Sequence, residues 1–328
     1  MSRDDWREQD GIRSDGSQYS DSIAYKTDLG LMLEATIEEG LMRPPLDSLK
    51  AKVNLIFTSP PFPLTKKKRY GNLRGAAYLK WMTKIIKRLA RLITPDGSLV
   101  IEIGNAWEKG QPVMSTLPIE TLLAVLKGAD LYLCQQFICH NPARLPGPAQ
   151  WVNIERIRIK DSFTHVWWMS PTNNPKADNR NVLIPYSKSM RRLLKKGKYN
   201  AGTRPSGHRI GDESFLKNHG GAIPANVLYY ANTSWNVDYS KWCREIGVPP
   251  HPARMSPNLA EFFIKFLTDV GDLVLDPFAG SNTTGAVAES LGRKWIAIEP
   301  KSDYVLGSLG RFKQLSLGFK RDKTKNEK

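Results

Sequence analysis

The chain has 328 residues, of which 41% are hydrophobic, and a formal net charge of +16 at neutral pH. This length and composition are those of an ordinary soluble protein, with one large domain or a core that carries one attached module. The excess of basic residues is larger than solubility requires. It indicates a polyanionic partner, with nucleic acid favoured over a membrane surface.

The cysteines and the hydrophobic pattern bear on the cellular compartment. The three cysteines, Cys134, Cys139 and Cys243, are too few and too unevenly spaced for a disulfide framework or a zinc site. The first residues are charged and no run of eighteen apolar residues occurs, so neither a secretory signal nor a membrane span is predicted. We therefore expect a cytoplasmic protein with no metal site.

The N-terminal half shows alternating strand and helix signals. Residues 1–22 are polar and predict a flexible segment. A β-branched apolar run at 53–58 predicts a buried strand, which ends where two prolines remove backbone N–H donors. Apolar residues at helical spacing follow at 78–92, and a Thr-Pro-Asp-Gly turn at 94–97 precedes a second strand at 98–103. This order predicts a parallel α/β sheet.

The C-terminal half returns to the same pattern after an irregular stretch. Residues 171–250 are rich in Asn, Gly, Pro, Lys and Arg and lack sustained periodicity, which predicts an inserted module. The other predicted elements are a helix at 117–126, a strand at 131–138, a helix at 258–267, a strand at 273–275, a helix at 284–291 and a strand at 295–298. Together they predict an α/β fold with a mostly parallel sheet.

Basic residues cluster at 66–69, at 191–198 and in the tail at 320–328. Each cluster fits a surface that contacts phosphates, and each also fits a solvated face or a frayed terminus. The clusters alone do not decide between these interpretations.

The first candidate for a catalytic segment is Thr58-Ser59-Pro60-Pro61-Phe62, at the carboxyl end of a predicted strand. Open α/β sheets bind ligands at this end of their strands. An exocyclic amine is a poor nucleophile because its lone pair is delocalised into the ring. The Ser59 hydroxyl and the Pro60 carbonyl could accept both amine hydrogens and favour the pyramidal form, while Phe62 could stack on a flipped base. A proline-terminated strand with no such role fits the same residues.

The second segment runs from Asp276 to Thr284 between a predicted strand and helix, and Glu299 closes the next strand. Small residues allow a ligand to approach the backbone, the helix N-terminus favours a carboxylate, and the acid can accept two ribose hydroxyls. A glycine turn alone is weak evidence, since many turns only require a positive φ. The Gly-Lys-Ser/Thr ending of a P-loop is missing, which argues against an NTPase.

Together the two segments resemble the amino-group DNA methyltransferases of the permuted β class, in particular the PvuII-type cytosine-N4-specific modification methylases. In that class the catalytic motif precedes the cofactor motif, as it does here. The resemblance extends from about residue 24 to 312. Further matching segments are Pro-Asp-Gly-Ser-Leu-Val at 95–100, Asn-Pro-Ala-Arg-Leu-Pro at 141–146, Trp-Val-Asn at 151–153, Arg-Ile-Lys-Asp at 158–161, Thr-Arg-Pro-Ser-Gly-His at 203–208 and His-Pro-Ala-Arg at 251–254.

The resemblance implies a Rossmann-like fold, S-adenosylmethionine as cofactor, and a role for each matching residue. The implied catalytic pocket consists of Ser59, Pro60, Pro61 and Phe62. The residues implied to bind the cofactor are Asp28 near the adenine amine, Glu299 at the ribose, His251, Pro252, Ala253 and Arg254 at the edge of the pocket, and Asp276, Phe278, Gly280, Ser281, Asn282 and Thr283 around the methionine and adenosine. One ring of Trp167-Trp168 is expected in the core and the other beside the base pocket.

Composition and the resemblance together predict a division of the chain. The expected parts are a flexible segment at 1–22, the catalytic half of the core at 23–170, a target-recognition module at 171–250, the cofactor-binding half at 251–315 and a basic tail at 316–328. The implied partner is double-stranded DNA, with a cognate restriction endonuclease as a further candidate and a monomer or weak dimer as the expected state.

Two positions depart from the family pattern. Family members usually continue Arg-Phe-Pro where this chain has Arg254-Met255-Ser256. Met255 can replace phenylalanine as a pliable apolar wall. Asn282 stands where many methyltransferases have glycine, and asparagine tolerates left-handed backbone geometry.

Serine before the two prolines favours cytosine N4 over adenine N6 as the methyl acceptor within the resembled family. A C5-cytosine enzyme requires a thiolate nucleophile after a proline, and none of the three cysteines has that context. Adenine-N6 methylation, an RNA methyltransferase and an inactive DNA-binding protein of the same fold remain the alternatives.

Overall fold

The computed structural model describes residues 23–62, 73, 75–213, 215–231, 236–313 and 315. The flexible segment predicted at 1–22, the basic cluster at 66–69 and the basic residues at 320–328 lie outside the described residues. Within the described part, no helix is both long and apolar enough to cross a membrane.

The described part of the chain contains a nine-stranded sheet with the order β1-β2-β11-β10-β3-β4-β6-β5-β9. The strands are β1 Ile23–Lys26, β2 Gly30–Glu34, β3 Val53–Thr58, β4 Ile93–Gly104, β5 Tyr132–His140, β6 Phe163–Ser170, β7 Gly202–Thr203, β8 Arg209–Ile210, β9 Val227–Tyr229, β10 Leu273–Asp276 and β11 Lys294–Glu299. The α-helices are α1 Ile37–Gly40, α2 Gly75–Ala90, α3 Leu117–Ala129, α4 Lys188–Lys196, α5 Asn236–Ile246, α6 Pro257–Leu267, α7 Thr283–Ser290 and α8 Ser302–Ser308.

The five strands from β2 to β4 are parallel, and antiparallel pairs join β1 to β2, β4 to β6 and β6 to β5. The central strands are buried almost throughout, as their continuous apolar sequences predict. The predicted α/β fold with a mostly parallel sheet is confirmed.

Alternation along β3 shows how helices cover both faces of the sheet. Ile56 belongs to the apolar cluster that contains Ile86 and other residues of α2. The next residue, Phe57, stacks on Phe263 of α6 with ring centroids 5.6 Å apart. Successive side chains of a strand point to opposite faces, so α2 and α6 lie on opposite sides of the sheet.

Two local expectations differ from the structure. The turn predicted at 94–97 lies inside β4 as an irregularity, because Val53 pairs with Ile93 and Leu55 already pairs with Ser98. Both Trp167 and Trp168 are buried in β6, on opposite faces of the sheet, and neither ring borders the cavity described below. The expectation that one of them lies beside the base pocket is therefore wrong.

The chain divides into two compact units, and the smaller one is Ala177–Ala225. This unit contains α4 and the β7–β8 pair, and it is held internally by the Ile184–Ala222 bridge and by a contact between the rings of Tyr199 and Phe215. The unit is shorter than the stretch 171–250 expected for the inserted module. Residues 226–250 belong to the larger unit because β9 pairs with β5 and α5 packs against α8.

Candidate active site

A cavity of about 440 Å³ opens at the carboxyl ends of β3, β10 and β11. Ligands of open α/β sheets bind at this edge. The predicted site residues that line it are Ser59, Pro60, Pro61, Phe62, His251, Ala253, Arg254, Asp276, Phe278, Gly280, Ser281, Thr283 and Glu299. The fold thus joins two motifs that lie more than 200 residues apart in the sequence.

The segment after β3 is fixed by hydrogen bonds at both ends. The Thr58 hydroxyl donates to Oδ1 of Asp276 at 2.7 Å, which ties the end of β3 to the end of β10. The Tyr78 hydroxyl of α2 donates to the Pro61 carbonyl at 2.9 Å. Since the intervening prolines also restrict the backbone, Ser59 is presented from a rigid segment.

Phe62 forms part of the cavity wall and depends on a glycine for its position. A Cβ atom at Gly104, the last residue of β4, would come within 2.5 Å of the Phe62 ring. The absence of a side chain at Gly104 allows this ring to pack on the strand end. The ring is therefore held in place as a flat apolar surface.

Glu102 of β4 is a cavity residue that the sequence did not identify. It accepts hydrogen bonds from the Ser59 hydroxyl and, at 2.9 Å, from the Thr164 hydroxyl of β6. Burial raises the pKa of Glu102, while these bonds and the nearby Arg144 charge act in the opposite direction. Because the Ser59 hydroxyl donates its hydrogen bond to Glu102, the lone pairs of its oxygen can point into the cavity. One signal was available: Glu102 is the one acid in the otherwise apolar run at 99–103.

Asp276 organises the loop that follows β10. Its Oδ1 accepts from the Thr58 hydroxyl and, at 3.1 Å, from the Phe278 backbone N–H, while its Oδ2 accepts from the Thr284 hydroxyl at 2.6 Å. Burial raises the pKa of Asp276 above its ordinary value, although these hydrogen bonds act in the opposite direction. Both carboxylate oxygens are thus engaged within the protein, so Asp276 shapes the loop.

The loop turns through left-handed backbone at Gly280 (φ +53°) and Asn282 (φ +51°). A Cβ at Gly280 would lie 3.1 Å from the His251 ring, so the glycine keeps this part of the cavity open. Asn282 is fully buried and does not line the cavity; its side chain accepts from the Gly285 N–H and donates to the Tyr25 hydroxyl. Asn282 therefore caps α7 and supports the loop from behind.

Glu299 lies at the end of β11, next to the loop. Its Oε2 accepts from the Gly280 N–H at 3.0 Å and its Oε1 accepts from the Lys301 N–H at 3.1 Å. Burial raises the pKa of Glu299 to about 7, against the effect of these two bonds. A carboxylate oxygen has two lone pairs, so each still has capacity to accept from a ligand hydroxyl.

Asp28 and Pro252 are predicted site residues that the structure does not place in the cavity wall. Asp28 is exposed in the connection that leads into β2. Because β2 is parallel to β11 and Glu34 pairs with Glu299, Asp28 lies at the opposite, amino edge of the sheet. Pro252 is exposed beside His251, whereas the neighbouring Met255 lines the cavity.

The polar wall beyond Ser59 was also missed by the sequence analysis. Asn105, Asn141 and Arg144 line the cavity from the ends of β4 and β5. Arg144 donates to the Phe163 carbonyl at 2.9 Å and approaches Asp161 at 4.0 Å. In the described part of the chain, no cluster of three or more His, Cys, Asp or Glu residues could hold a metal ion.

Helices on both faces of a mostly parallel sheet, with a glycine loop and an acid at the carboxyl ends of adjacent strands, define a Rossmann-like protein of the nucleoside-binding class. A family model described as DNA methylase matches residues 53–308 of the chain. The chain belongs to this family of DNA methyltransferases, and the resemblance seen in the sequence is confirmed.

Individual relatives support the same assignment. The type II methyltransferase M.PvuII of Proteus hauseri is 44% identical over 262 residues, which cover 79% of this chain and 78% of the relative. A solved structure of PvuII DNA methyltransferase (cytosine-N4-specific) matches 89% of both chains with a TM-score of 0.71 and 36% identity. A solved complex of M1.HpyAVI with its SAM ligand has a TM-score of 0.52 at 18% identity, covers 86% of this chain and 98% of that one, and shows the shared fold.

Proposed function

We propose that the protein transfers a methyl group from S-adenosylmethionine to the exocyclic N4 of cytosine in duplex DNA. The observation that carries this proposal is the single cavity shared by the Ser59 segment and the loop from Asp276 to Thr284. The relative with 44% identity and the solved structure with a TM-score of 0.71 are both named as PvuII methyltransferases, and the latter is described as cytosine-N4-specific.

The residues around the loop fit this cofactor. Glu299 has acceptor capacity for two ribose hydroxyls, and Gly280 leaves open the space that a side chain would fill. Phe278 and Met255 supply apolar surface in the same wall. When bound, S-adenosylmethionine supplies an electrophilic methyl carbon on a sulfonium.

The residues after β3 would hold the base. Ser59 and the Pro60 carbonyl accept the two hydrogens of the cytosine amine, and Phe62 stacks on the ring. Accepting both hydrogens localises the nitrogen lone pair and aligns it for in-line attack. Glu102 keeps the Ser59 hydroxyl oriented and is the nearest carboxylate that could take the released proton through it. This geometry requires the base to leave the duplex stack.

The smaller unit supplies candidates for DNA contact. Helix α4 begins at a Ser187 cap and ends at Gly197, and its exposed basic side chains are Lys188, Arg191, Arg192, Lys195 and Lys196. Such a helix can bind phosphates, and we assign the target-recognition role to this unit. We also propose a monomer or weak dimer, and a cognate restriction endonuclease that acts on the same site.

A labelling experiment tests the proposed reaction. The protein is incubated with methyl-labelled S-adenosylmethionine and duplex DNA that contains every short palindrome, and the digested nucleosides are identified. The expected label is in N4-methyl-2′-deoxycytidine. Label in N6-methyl-2′-deoxyadenosine would refute the cytosine assignment, and no label would favour an inactive DNA-binding protein. Single-stranded RNA in a parallel reaction tests the RNA alternative.

The Ser59→Ala variant tests the assigned mechanism. We expect it to lose most turnover, with its affinity for the cofactor unchanged, because Ser59 touches only the acceptor. Ser115→Ala, on a loop outside the cavity, is a matched control. Normal turnover in Ser59→Ala would remove Ser59 from the mechanism.

A further inference from the structure

The two most exposed large apolar side chains of the described residues belong to loops next to the base side of the cavity. Ile159 is 88% exposed and Leu145 is 83% exposed. Leu145 directly follows Arg144, which lines the cavity and lies near the Glu102 carboxylate that orients Ser59. Single exposed apolar residues are common on protein surfaces, so exposure alone assigns no role to either residue.

The loop that carries Leu145 is held by hydrogen bonds to the segment that leads into β6. The Asn141 N–H donates to the Ser162 carbonyl at 2.8 Å. The Arg144 guanidinium donates to the Phe163 carbonyl at 2.9 Å. The loop therefore presents Leu145 from a fixed backbone, and ordering of the loop adds little to the cost of binding a partner through this side chain.

Basic side chains accompany these apolar residues. Ile159 stands between the exposed Arg158 and the partly buried Lys160. The Lys160 ammonium lies 3.4 Å from the carbonyl oxygens of Pro142 and Arg144, so the Ile159 segment lies beside the Leu145 loop. A surface that combines cations with protruding apolar side chains complements duplex DNA, in which phosphates flank an apolar stack of bases.

We propose that Leu145 inserts into the DNA and fills the space that the target cytosine leaves in the base stack, in an inference that rests on the proposed function. The base rotates about its own backbone to reach Ser59, so the gap in the stack stays next to the mouth of the cavity. Adjacent Cα atoms are about 3.8 Å apart, so the link to Arg144 keeps Leu145 at the cavity rim. An apolar side chain in the gap supports the unpaired guanine and opposes return of the cytosine.

Two other exposed side chains are less suitable for this role. Neither sequence neighbour of Ile159 lines the cavity, whereas Arg144 next to Leu145 does. Tyr229 is 70% exposed and adjoins a cavity residue, but its ring packs against His140 with centroids 5.4 Å apart. Ile159 remains a testable competitor, because its segment lies beside the Leu145 loop.

The experiment compares two DNA duplexes that differ only in the partner of the target cytosine. In one duplex the cytosine that the labelling experiment identifies is paired with guanine, and in the other it faces an abasic position, so its extrusion costs less. Single-turnover methylation is measured with the full-length protein and saturating S-adenosylmethionine. We expect Leu145→Ala to lower the rate about 20-fold on the paired duplex and less than about threefold on the unpaired one.

Matched variants complete the design. Leu123→Ala makes the same substitution at an exposed position of α3 outside the cavity and should change neither rate. Leu145→Met keeps an apolar side chain of similar volume and should retain most of the rate on the paired duplex. The ratio of the two rates within one protein does not depend on the folded fraction, so it remains informative if Leu145→Ala is destabilised.

Four outcomes would overturn the assignment. The first is an equal loss on both duplexes in Leu145→Ala, and the second is no loss on either. The third is a selective loss on the paired duplex in Ile159→Ala and none in Leu145→Ala. The fourth is a change of oligomeric state in Leu145→Ala, measured by sedimentation, with an unchanged ratio of rates, which would make this surface an interface between copies of the chain. A wild-type protein that methylates neither duplex would instead refute the proposed function.

Discussion

Protonation of Glu299 should control cofactor affinity near neutral pH. Burial raises the pKa of Glu299 to about 7, so a modest change of pH switches its charge. In the proposed cofactor complex the ionised carboxylate accepts from both ribose hydroxyls, whereas the protonated group would lose acceptor capacity and point a proton toward a donor. We therefore expect binding to favour the ionised form and to release a proton when it occurs below this pKa.

The magnitude follows from the ionised fraction. With a pKa of about 7, Glu299 is roughly 6% ionised at pH 5.8 and roughly 60% ionised at pH 7.2. Affinity that requires the ionised form should therefore rise about 10-fold across this interval and level off above it. The upper limit of pH 7.2 stays below the usual titration range of the cofactor amine.

The stability of the cofactor-free protein should fall as the pH rises, whereas the cofactor affinity should increase. The pKa of Glu299 in the folded state is raised from 4.5 to about 7, so its contribution is fully present below pH 4.5 and is lost as pH rises through 7. The shift corresponds to about 3 kcal/mol. Asp276 and Glu102, whose pKa values are also raised, act in the same direction.

Calorimetry of S-adenosylmethionine binding at pH 5.8 and 7.2 measures the affinity, and buffers of different ionisation enthalpy measure the proton release. Glu299→Gln should bind weakly at both pH values and lose the pH dependence, while the exposed Glu108→Gln should behave as wild type. An affinity that is equal at the two pH values, or an unchanged pH slope in Glu299→Gln, would refute the reasoning.

Four further variants test separate parts of the proposed function. Glu102→Gln should lower the single-turnover methylation rate about 100-fold without changing cofactor affinity, because it disturbs only the partner of Ser59, and Glu102→Asp should restore part of the rate. Gly280→Ala should weaken cofactor binding at least 10-fold, since its φ is +53° and its Cβ would contact His251, and calorimetry would measure this loss. The double replacement of Lys195 and Lys196 by Ala should reduce the salt dependence of DNA affinity by about two counterions, as measured by titrations at several salt concentrations; an unchanged slope would remove α4 from the interface.

The sequence predicted the central strands because their burial on both faces leaves a continuous apolar signal. The strands predicted at 53–58, 273–275 and 295–298 correspond to β3, β10 and β11. Since parallel strands carry their functional residues at one edge, the same signals placed Ser59, Asp276 and Glu299 near one another. This part of the site is a consequence of strand direction.

Residues whose position depends on pairing between strands were harder to predict. Glu102 meets Ser59 because β4 lies beside β3, a relation that the sequence of β4 does not encode locally. Asp28 shows the reverse case: the residue precedes a strand, and the direction of that strand takes it away from the cavity. The end of the inserted module was difficult for a similar reason, since β9 has three residues and joins the sheet through pairing with β5.

The hydrogen bond from Thr58 to Asp276 aligns the two sides of the cavity without residues of the smaller unit, so the smaller unit can change at a different rate in evolution. It joins the methyl-accepting and methyl-donating sides of the cavity directly, although 218 positions separate the two residues in the chain. The chain leaves the larger unit after Lys176 and returns to it at Asn226. Both positions lie between Thr58 and Asp276 in the sequence. If residues 177–225 have the proposed target-recognition role, a change in this unit can alter the preferred DNA sequence while the hydrogen bond keeps the two motifs aligned.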